Sequence, residues 1–505
     1  MTTSRKPLRG ISNPISIDRR LHKPLHQQIY ESFRDRVIRG ELRAGQYVPS
    51  TRELARDLHV SRLPVLEAYA QLTAEGYFET RVGSGTFITA SLEVPRKAQQ
   101  PSRKQTDGER EISDRAANLP RYERPSWAES LGAFQVGQPS LHDFPMDVWS
   151  RLLGRYARTM RVKALQYGDP LGLPELRETI AAYLRTSRAV RCTAQQVIVV
   201  SGSQQAIDLS SRVLLDPGVP VWAEDPGYWL VQQVLKAARC EIVPVPVDGE
   251  GLDVQAGIKL SPNARAAFVA PSHQYPLGVT MSASRRLQLL EWARRAGAWL
   301  IEDDYDSEYR YDSTPISSLQ GLDGNDRVIY IGTFSKVMFP SLRLGYMVVP
   351  ADLVDRFAAV RQTMDICPSH LNQAVMAEFI REGHFSRHVR KMRPMYAHRR
   401  AVLVEAIQRE LGGECQIVGD EAGMHLAVVV PDCDEAVIAA QAAQQSLWLS
   451  PLSASYIANP RQRGFVLGFG NTPARQIAAG IQHLRKLLET RVLSSARTSV
   501  GGGRR

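Results

Sequence analysis

Seven short apolar runs dominate the chain from Trp127 onward, and they constrain its fold more than any other feature. They lie at residues 197–202, 219–225, 241–247, 266–271, 298–304, 328–333 and 344–350. Helical patterns separate most of these runs. Runs that are apolar on both faces and alternate with helices are typical of strands buried between two helical layers. The sequence therefore predicts a multidomain α/β protein with a mostly parallel seven-stranded sheet, followed by a small α+β portion over 412–469.

The pattern before this region is different. Residues 25–39 and 62–77 carry apolar side chains at helical spacing, and a third helix is predicted after Ser50, which forms a capping box with Glu53. Residues 77–89 then alternate apolar and polar side chains around a Gly-Ser-Gly turn, which is typical of a β-hairpin. Three helices followed by a hairpin predict a winged helix-turn-helix.

Composition shifts give the domain boundaries. We expect a winged helix over 20–90, a flexible linker over 91–125 that is rich in Pro, Gln and charged residues, and the sheet-containing domain over 126–490. A disordered tail is expected over 491–505.

The basic charge is concentrated at the N-terminus. Residues 1–104 hold 18 Lys+Arg against 10 Asp+Glu, which is a net +8 of the chain's +11. A local basic field suits a polyanion such as DNA, and the alternative is a solvated surface that keeps the protein soluble.

Other global features favour a cytoplasmic protein. No run of about 18 apolar residues and no signal-peptide pattern occurs. The five cysteines are scattered without a CxxC pair, so we expect free thiols and no metal site.

The strongest chemical motif is the segment 332–336, GTFSK, which follows a predicted strand. An unpaired lysine ammonium at a buried strand end costs several kcal/mol to desolvate. A Schiff base between Lys336 and an aldehyde cofactor removes that charge, and Thr333, Ser335 and Arg343 are placed to hold an anionic phosphate beside it. The alternative is a solvated loop lysine.

Three other strand ends carry polar residues suited to the same cofactor. Asp303 is placed to pair with a pyridinium nitrogen and Tyr305 to donate to a ring hydroxyl, although a capping cluster or a metal-ligand pair explains them too. Ser203 begins a helix whose free N–H groups suit a phosphate, and an ordinary N-cap is the alternative. Tyr228 is placed to stack on a flat ring or to fill the core.

These motifs follow one another in chain order, each at a strand end. Residues 167–343 resemble the fold type I aminotransferases, and residues 25–88 resemble the GntR winged-helix family through PSTRELARDLHVSRLPVLEAYAQLTAEGY and RVGSGTFI. With HQYPLGVTMS and IEDDYDSEYRYD, the whole chain resembles the MocR subfamily of bacterial regulators. The resemblance implies pyridoxal 5′-phosphate (PLP) as cofactor and a double-stranded DNA operator as partner.

The resemblance also implies roles for single residues. Lys336 forms the Schiff base with PLP, Asp303 faces the pyridine nitrogen, and Tyr305 lies near the ring hydroxyl. Tyr228 stacks on the ring. The phosphate contacts are Ser203, Gln204, Thr333, Ser335 and Arg343, together with Tyr167 from the neighbouring subunit. The DNA contacts are Arg52, Ser61, Arg62 and Gly85.

A homodimer is implied as well, head-to-tail and domain-swapped, located in the bacterial cytoplasm at the nucleoid.

Two positions depart from the aminotransferase pattern. Aminotransferases usually have an asparagine that contacts the ring hydroxyl of the cofactor, and here that neighbourhood reads Gln274-Tyr275-Pro276. Another residue must therefore contact the ring hydroxyl. The strand that normally carries a carboxylate-binding arginine reads FVLGF, and Val466 and Leu467 offer no donors. This gap argues against amino-acid transamination.

Three functions are compatible with these features. The first is a transcriptional regulator that senses PLP, an amine or an amino-acid effector through Schiff-base chemistry and retains at most a transaminase half-reaction. The second is an active aminotransferase with an accessory N-terminal domain. The third is a conventional repressor with an inactive cofactor site. The basic winged helix argues against the second, and the intact Lys336, Asp303 and Tyr305 argue against the third.

Overall fold

The structure is a computed structural model that describes residue 15 and residues 17–91, 111–122, 131–311 and 316–500. Contacts divide the chain into two compact units, between Glu111 and Ile112. Most of the predicted linker lies outside the described residues, as do residues 501–505 of the predicted tail.

The first unit is built from three helices and three short strands. The helices are α1 (Leu25–Ile38), α2 (Thr51–Asp57) and α3 (Arg62–Ala74), and the strands are β1 (Tyr47–Val48), β2 (Phe78–Arg81) and β3 (Gly85–Ile88). The sheet order is β1-β3-β2, with both pairings antiparallel. The helices and the hairpin were predicted, whereas β1 was not, because two residues are too few to show an alternating pattern.

Local sequence signals position these helices. The capping box is confirmed: the Ser50 side chain accepts from the Glu53 N–H at 3.2 Å, and the Glu53 carboxylate accepts from the Ser50 N–H at 3.3 Å. The helices and the hairpin meet around Phe33, whose ring packs edge-on against Tyr69 and Phe78. Burial of these aromatic rings together with the surrounding aliphatic side chains stabilises this small core.

A large mixed sheet forms the centre of the second unit. Its strands are β4 (Val197–Val200), β5 (Pro220–Asp225), β6 (Glu241–Asp248), β7 (Gly251–Leu252), β8 (Ala266–Val269), β9 (Trp299–Asp304), β10 (Val328–Thr333) and β11 (Gly345–Val348). In the described residues their order is β4-β11-β10-β9-β8-β5-β6-β7. All seven predicted runs are strands of this sheet, and β7 is an additional edge strand of two residues.

Both faces of the sheet are covered. Ile329 and Ile331 belong to one apolar cluster with α7 (Ser203–Leu214), while the intervening Tyr330 belongs to a cluster on the opposite face. This alternation explains why the strands read as continuous apolar runs. Only β11, which is antiparallel to β4 and β10, and β7 depart from the parallel arrangement.

The carboxyl ends of β4, β5, β8, β9 and β10 therefore lie at one edge of the sheet.

The remaining helices of the second unit surround the two sheets. They are α4 (Asp114–Ala117), α5 (Met146–Thr159), α6 (Pro174–Ser187), α8 (Trp229–Ala237), α9 (Val254–Leu260), α10 (Ala283–Ala296), α11 (Leu319–Leu322), α12 (Val354–Asp365), α13 (His370–Arg381), α14 (His384–Leu411), α15 (Glu435–Ala443) and α16 (Ala474–Val500). None of the helices in the described part of the chain has the length and apolarity needed to cross a bilayer.

The predicted small α+β portion contains a second sheet. Its strands are β12 (Gln416–Val418), β13 (His425–Val429), β14 (Ser450–Pro451) and β15 (Gly464–Gly468), in the order β12-β13-β15-β14. The first residue of β13, His425, lies beside the carboxyl edge of the large sheet, where it contacts His273.

Candidate functional site

A cavity of about 540 Å³ lies at the carboxyl edge of the large sheet. Half of the ten residues predicted to bind the cofactor line it: Ser203, Tyr228, Asp303, Tyr305 and Lys336. They come from the ends of β4, β5, β9 and β10, which parallel pairing brings to one edge. The fold therefore assembles one site from segments that are far apart in the chain.

Lys336 lies in the loop after β10, and its Nζ donates a hydrogen bond to the backbone oxygen of Gly137 at 3.0 Å. Burial lowers the pKa of the Lys336 ammonium, partly opposed by the carboxylates of Asp306 and Asp303. A lowered pKa increases the fraction of neutral amine, which is the nucleophilic form.

Asp303 on β9 faces the same cavity. Burial raises its pKa to about 7, with a further increase from neighbouring Asp304 and an opposing effect of Lys336. Its Oδ1 atom is buried and has no hydrogen-bond partner among the described residues. A buried unsatisfied carboxylate oxygen is costly, so this atom is suited to accept a hydrogen bond from a ligand N–H.

A corner of the site near Ser203 is suited to an anion. Ser203 begins α7, whose first-turn N–H groups have no partner within the helix. The Arg343 guanidinium lies over this turn, since a Cβ built on Gly202 would be 3.5 Å from it. At the end of β10, Thr333 Oγ1 accepts from the Ser335 N–H at 3.2 Å, and Ser335 Oγ is buried without a partner among the described residues.

The other half of the predicted cofactor residues do not line the cavity. Thr333 ends β10, Ser335 and Arg343 follow it in the chain, and Gln204 follows Ser203 on α7. Tyr167 is 82% exposed in the single chain.

Sequence reasoning did not identify a group of three buried residues beside Tyr305. His273 Nδ1 lies 3.0 Å from Asp306 Oδ1 and 3.2 Å from the Tyr305 hydroxyl. His425 packs against His273 with ring centroids 4.5 Å apart. Ligand atoms of His273, Asp306 and His425 lie within 4.8 Å of one another, which is close enough to hold a metal ion. No local motif links positions so distant in the chain, so only the fold could reveal the group.

The structure shows what Gln274 binds in place of a cofactor, and which side chains line the cavity where aminotransferases have a carboxylate-binding arginine. The Gln274 amide is used within the protein, because its Nε2 donates to Pro226 O at 2.8 Å and to Glu224 Oε2 at 3.2 Å. No arginine lines the cavity in the described part of the chain, and Arg461 and Arg463 are exposed outside it.

Gly137 leaves room for the lysine. Its φ is +73°, and a Cβ at this position would overlap Lys336 Nζ. We therefore expect Gly137→Ala to displace the amine and to lower covalent cofactor loading about tenfold or more, without unfolding the protein. Mass spectrometry after borohydride reduction measures the loading. Gly249→Ala, where a Cβ meets nothing within 4 Å, is the control, and equal loading of the two variants would contradict the assignment.

The raised pKa of Asp303 predicts a pH effect on the cofactor-free protein. Since this pKa rises from about 4 when unfolded to about 7 when folded, its contribution to stability is fully present below pH 4 and is lost as the pH rises through 7. Asp303→Asn cannot ionise, so we expect a smaller fall in Tm between pH 5 and 8, equivalent to a few kcal/mol at most. Thermal unfolding measures it. The exposed Asp355→Asn should keep the wild-type slope, and an unchanged slope in Asp303→Asn would contradict the burial argument.

The predicted DNA-contacting residues are exposed on the first unit. Arg52 lies on α2, and Ser61 and Arg62 begin α3. The Arg62 Nε donates to Thr51 Oγ1 at 3.1 Å, which links the starts of the two helices. Gly85 in the hairpin has φ +104°, and a Cβ there would lie 2.7 Å from the Tyr47 ring.

Comparisons with known proteins agree with both units. Residues 134–463 match the family "Aminotransferase class I and II", and residues 25–88 match "Bacterial regulatory proteins, gntR family". The chain is 41% identical over 470 residues to the "Probable rhizopine catabolism regulatory protein MocR" of Rhizobium meliloti, covering 93% of this chain and 94% of that protein. It is 31% identical over 460 residues to the "HTH-type pyridoxine biosynthesis transcriptional regulator PdxR" of Corynebacterium glutamicum, covering 91% and 94%.

A solved structure shares the fold of the second unit. The kynurenine aminotransferase of Pyrococcus horikoshii, "in complex with PMP, KYN as substrates and KYA as products", superposes with a TM-score of 0.69 at 28% identity, covering 75% of this chain and 97% of that one. Fold and site together define a fold type I aminotransferase domain that shares its chain with a GntR-type winged helix. The chain belongs to the MocR subfamily of the GntR family of bacterial regulators.

The residues present fit PLP, the cofactor of this fold class. A buried lysine is available for its aldehyde, and the unsatisfied Asp303 Oδ1 suits its ring N–H. The start of α7 and Arg343 suit its phosphate. Three chemically distinct parts of one small molecule thus each have a matching group.

Proposed function

We propose that the protein is a PLP-dependent transcriptional regulator, whose second unit binds the cofactor and an amine effector and whose winged helix binds DNA. One observation carries the proposal. The cavity retains the lysine, the acid and the tyrosine suited to PLP, yet no described residue among its lining is an arginine for a substrate carboxylate. The relatives named as transcriptional regulators over almost the whole chain support it.

Bound PLP supplies an aldehyde carbon that condenses with a primary amine. In the proposal, Lys336 holds the cofactor covalently, Asp303 accepts the ring N–H, and Tyr228 covers one face of the ring. Ser203, Gln204, Thr333, Ser335 and Arg343 hold the phosphate. The lowered pKa of Lys336 favours the neutral amine.

The Tyr305 hydroxyl is proposed to serve the ring oxygen. Its contact with His273 at 3.2 Å, backed by Asp306 at 3.0 Å, fixes the orientation of the hydroxyl group. Tyr305 thereby supplies the ring-oxygen contact that an asparagine usually makes in aminotransferases. Gln274 is not available for it, because its amide is bound to Glu224 and Pro226.

The DNA contacts are proposed to be Arg52, Ser61, Arg62 and Gly85. Arg62, exposed at the start of α3, is placed to reach a guanine edge or a phosphate in the major groove. A homodimer would present two winged helices to paired half-sites. The exposure of Tyr167 is consistent with its proposed reach to the phosphate of the partner subunit.

Regulation requires that a ligand bind two arrangements of the dimer with different affinities. The operator is first defined by selection of random DNA with the PLP-loaded protein. We then expect an amine effector to change operator affinity about 5- to 150-fold, measured by fluorescence anisotropy. Steady transfer of an amino group to a keto acid, with no effect of PLP or amines on DNA binding, would instead support an aminotransferase with an accessory domain.

A further inference from the structure

The charges of the side chains that line the cavity limit the charge of the effector that can bind there. Apart from His425, the charged or titratable acid and base side chains that line it are Glu224, Asp303, Asp306 and Lys336. In the proposed function Lys336 is bonded to the aldehyde carbon until the effector amine displaces it and returns it as a neutral amine, and Arg343 is committed to the phosphate. Within the described residues, no lining arginine and no second lining lysine is then left to pair with a carboxylate.

His425 is a buried side chain whose ring packs against those of His273 and Tyr275, with ring centroids 4.5 and 5.5 Å away. A buried carboxylate without a cationic partner pays a desolvation cost of several kcal/mol. The cavity therefore disfavours amino acids.

The same cavity has neutral polar groups without partners. Gln135 is 5% exposed and Gln232 is 9% exposed, and both line it. Gln135 Oε1, Gln232 Nε2 and Trp448 Nε1 are buried without a hydrogen-bond partner among the described residues. One is an acceptor and two are donors. Hydroxyl groups, which both donate and accept, match such a set.

We infer that the effector is a small primary amine that carries hydroxyl groups and no carboxylate. This inference rests on the proposed function and deepens it, because it names the ligand class of the same cavity. Gln135, Gln232 and Trp448 recognise the hydroxyl groups, and the absence of an arginine among the described lining residues excludes the acids.

Three probes with the same three-carbon skeleton test the inference. Serinol has two hydroxyls, serine has a hydroxyl and a carboxylate, and isopropylamine has neither group. Each is titrated into the PLP-loaded full-length protein, with binding measured by calorimetry and by the change in the cofactor absorption band. We expect serinol to bind at least tenfold more tightly than either of the others.

The outcomes separate the inference from the proposed function. Failure to load PLP in the first place would overturn the proposed function. In a loaded protein, serine binding as tightly as serinol, isopropylamine binding as tightly as serinol, or no response to serinol would each overturn the inference alone.

Variants of the cavity wall provide a second test. Gln135→Leu should weaken serinol binding about tenfold and leave isopropylamine unchanged, whereas the exposed Gln288→Leu on α10 should change neither. Ser450→Arg adds a guanidinium at a partly buried lining position, and it should shift the preference towards serine. An unchanged preference in both Gln135→Leu and Ser450→Arg, with normal PLP loading, would overturn the inference.

Discussion

Lys336→Ala is expected to leave the protein colourless when it is saturated with PLP, and no borohydride adduct should form at position 336. The buried Nζ is the amine that the cavity offers to the aldehyde, and its lowered pKa favours the reactive form. The affinity of the variant for PLP should be at least tenfold lower than that of the wild type, because only the contacts to the phosphate and the ring remain. Absorbance near the visible cofactor band and mass spectrometry of the reduced protein measure the effect.

The exposed Lys259→Ala on α9 is the matched control and should keep both signals. Circular dichroism of Lys336→Ala checks that the fold is intact. A coloured Lys336→Ala protein, or an adduct on another lysine in the wild type, would contradict the assignment of the site.

Arg62→Ala is expected to reduce operator binding about a hundredfold or more while leaving the cofactor absorbance unchanged. Arg62 is exposed at the start of α3, and its contact with Thr51 Oγ1 fixes the direction of the guanidinium. A bidentate base contact is worth about 1–3 kcal/mol, and the proposed dimer loses it in both half-sites, which at about 2 kcal/mol each exceeds a hundredfold. Fluorescence anisotropy on the selected operator measures the affinity.

Two further variants serve as a control and as a test of whether Arg62 contacts a base or a phosphate. Arg158→Ala removes an exposed arginine from α5 in the second unit, and it should leave operator binding near the wild-type value. Arg62→Lys keeps the charge and removes the planar fork, so a selective loss of operator over random DNA would indicate a guanine contact rather than a phosphate contact. Simultaneous loss of DNA binding and cofactor absorbance in Arg62→Ala would contradict two independent units.

Much of the fold could be predicted because its signals are local. The seven apolar runs indicated the strands of the large sheet, since burial on both faces demands apolar side chains at consecutive positions. The Ser50–Glu53 capping box fixed the start of α2 through hydrogen bonds within four residues. β1 and β7 were missed, because each has two residues and depends on its partner strand.

The residues proposed to bind the cofactor could be identified because they lie close to strand ends. Ser203, Tyr228, Asp303 and Lys336 each lie at or just after the end of a recognisable strand, and parallel strands end at one edge. The small sheet and the segment before α5 contribute further lining residues, including His425, Gly137 and Gln135. Nothing near these residues in the chain indicates a ligand.

By itself, the sequence determined the two kinds of domain, the order of the strands along the chain and the lysine that the cofactor requires, because periodicity, capping and strand-end chemistry depend on neighbours along the chain. The tertiary structure decided the burial of His425 beside His273, the unsatisfied oxygen of Asp303 and, among the described residues, the lack of a lining arginine for a carboxylate. Desolvation and hydrogen-bond satisfaction depend on which distant segments enclose a group, and only the folded chain brings those segments together.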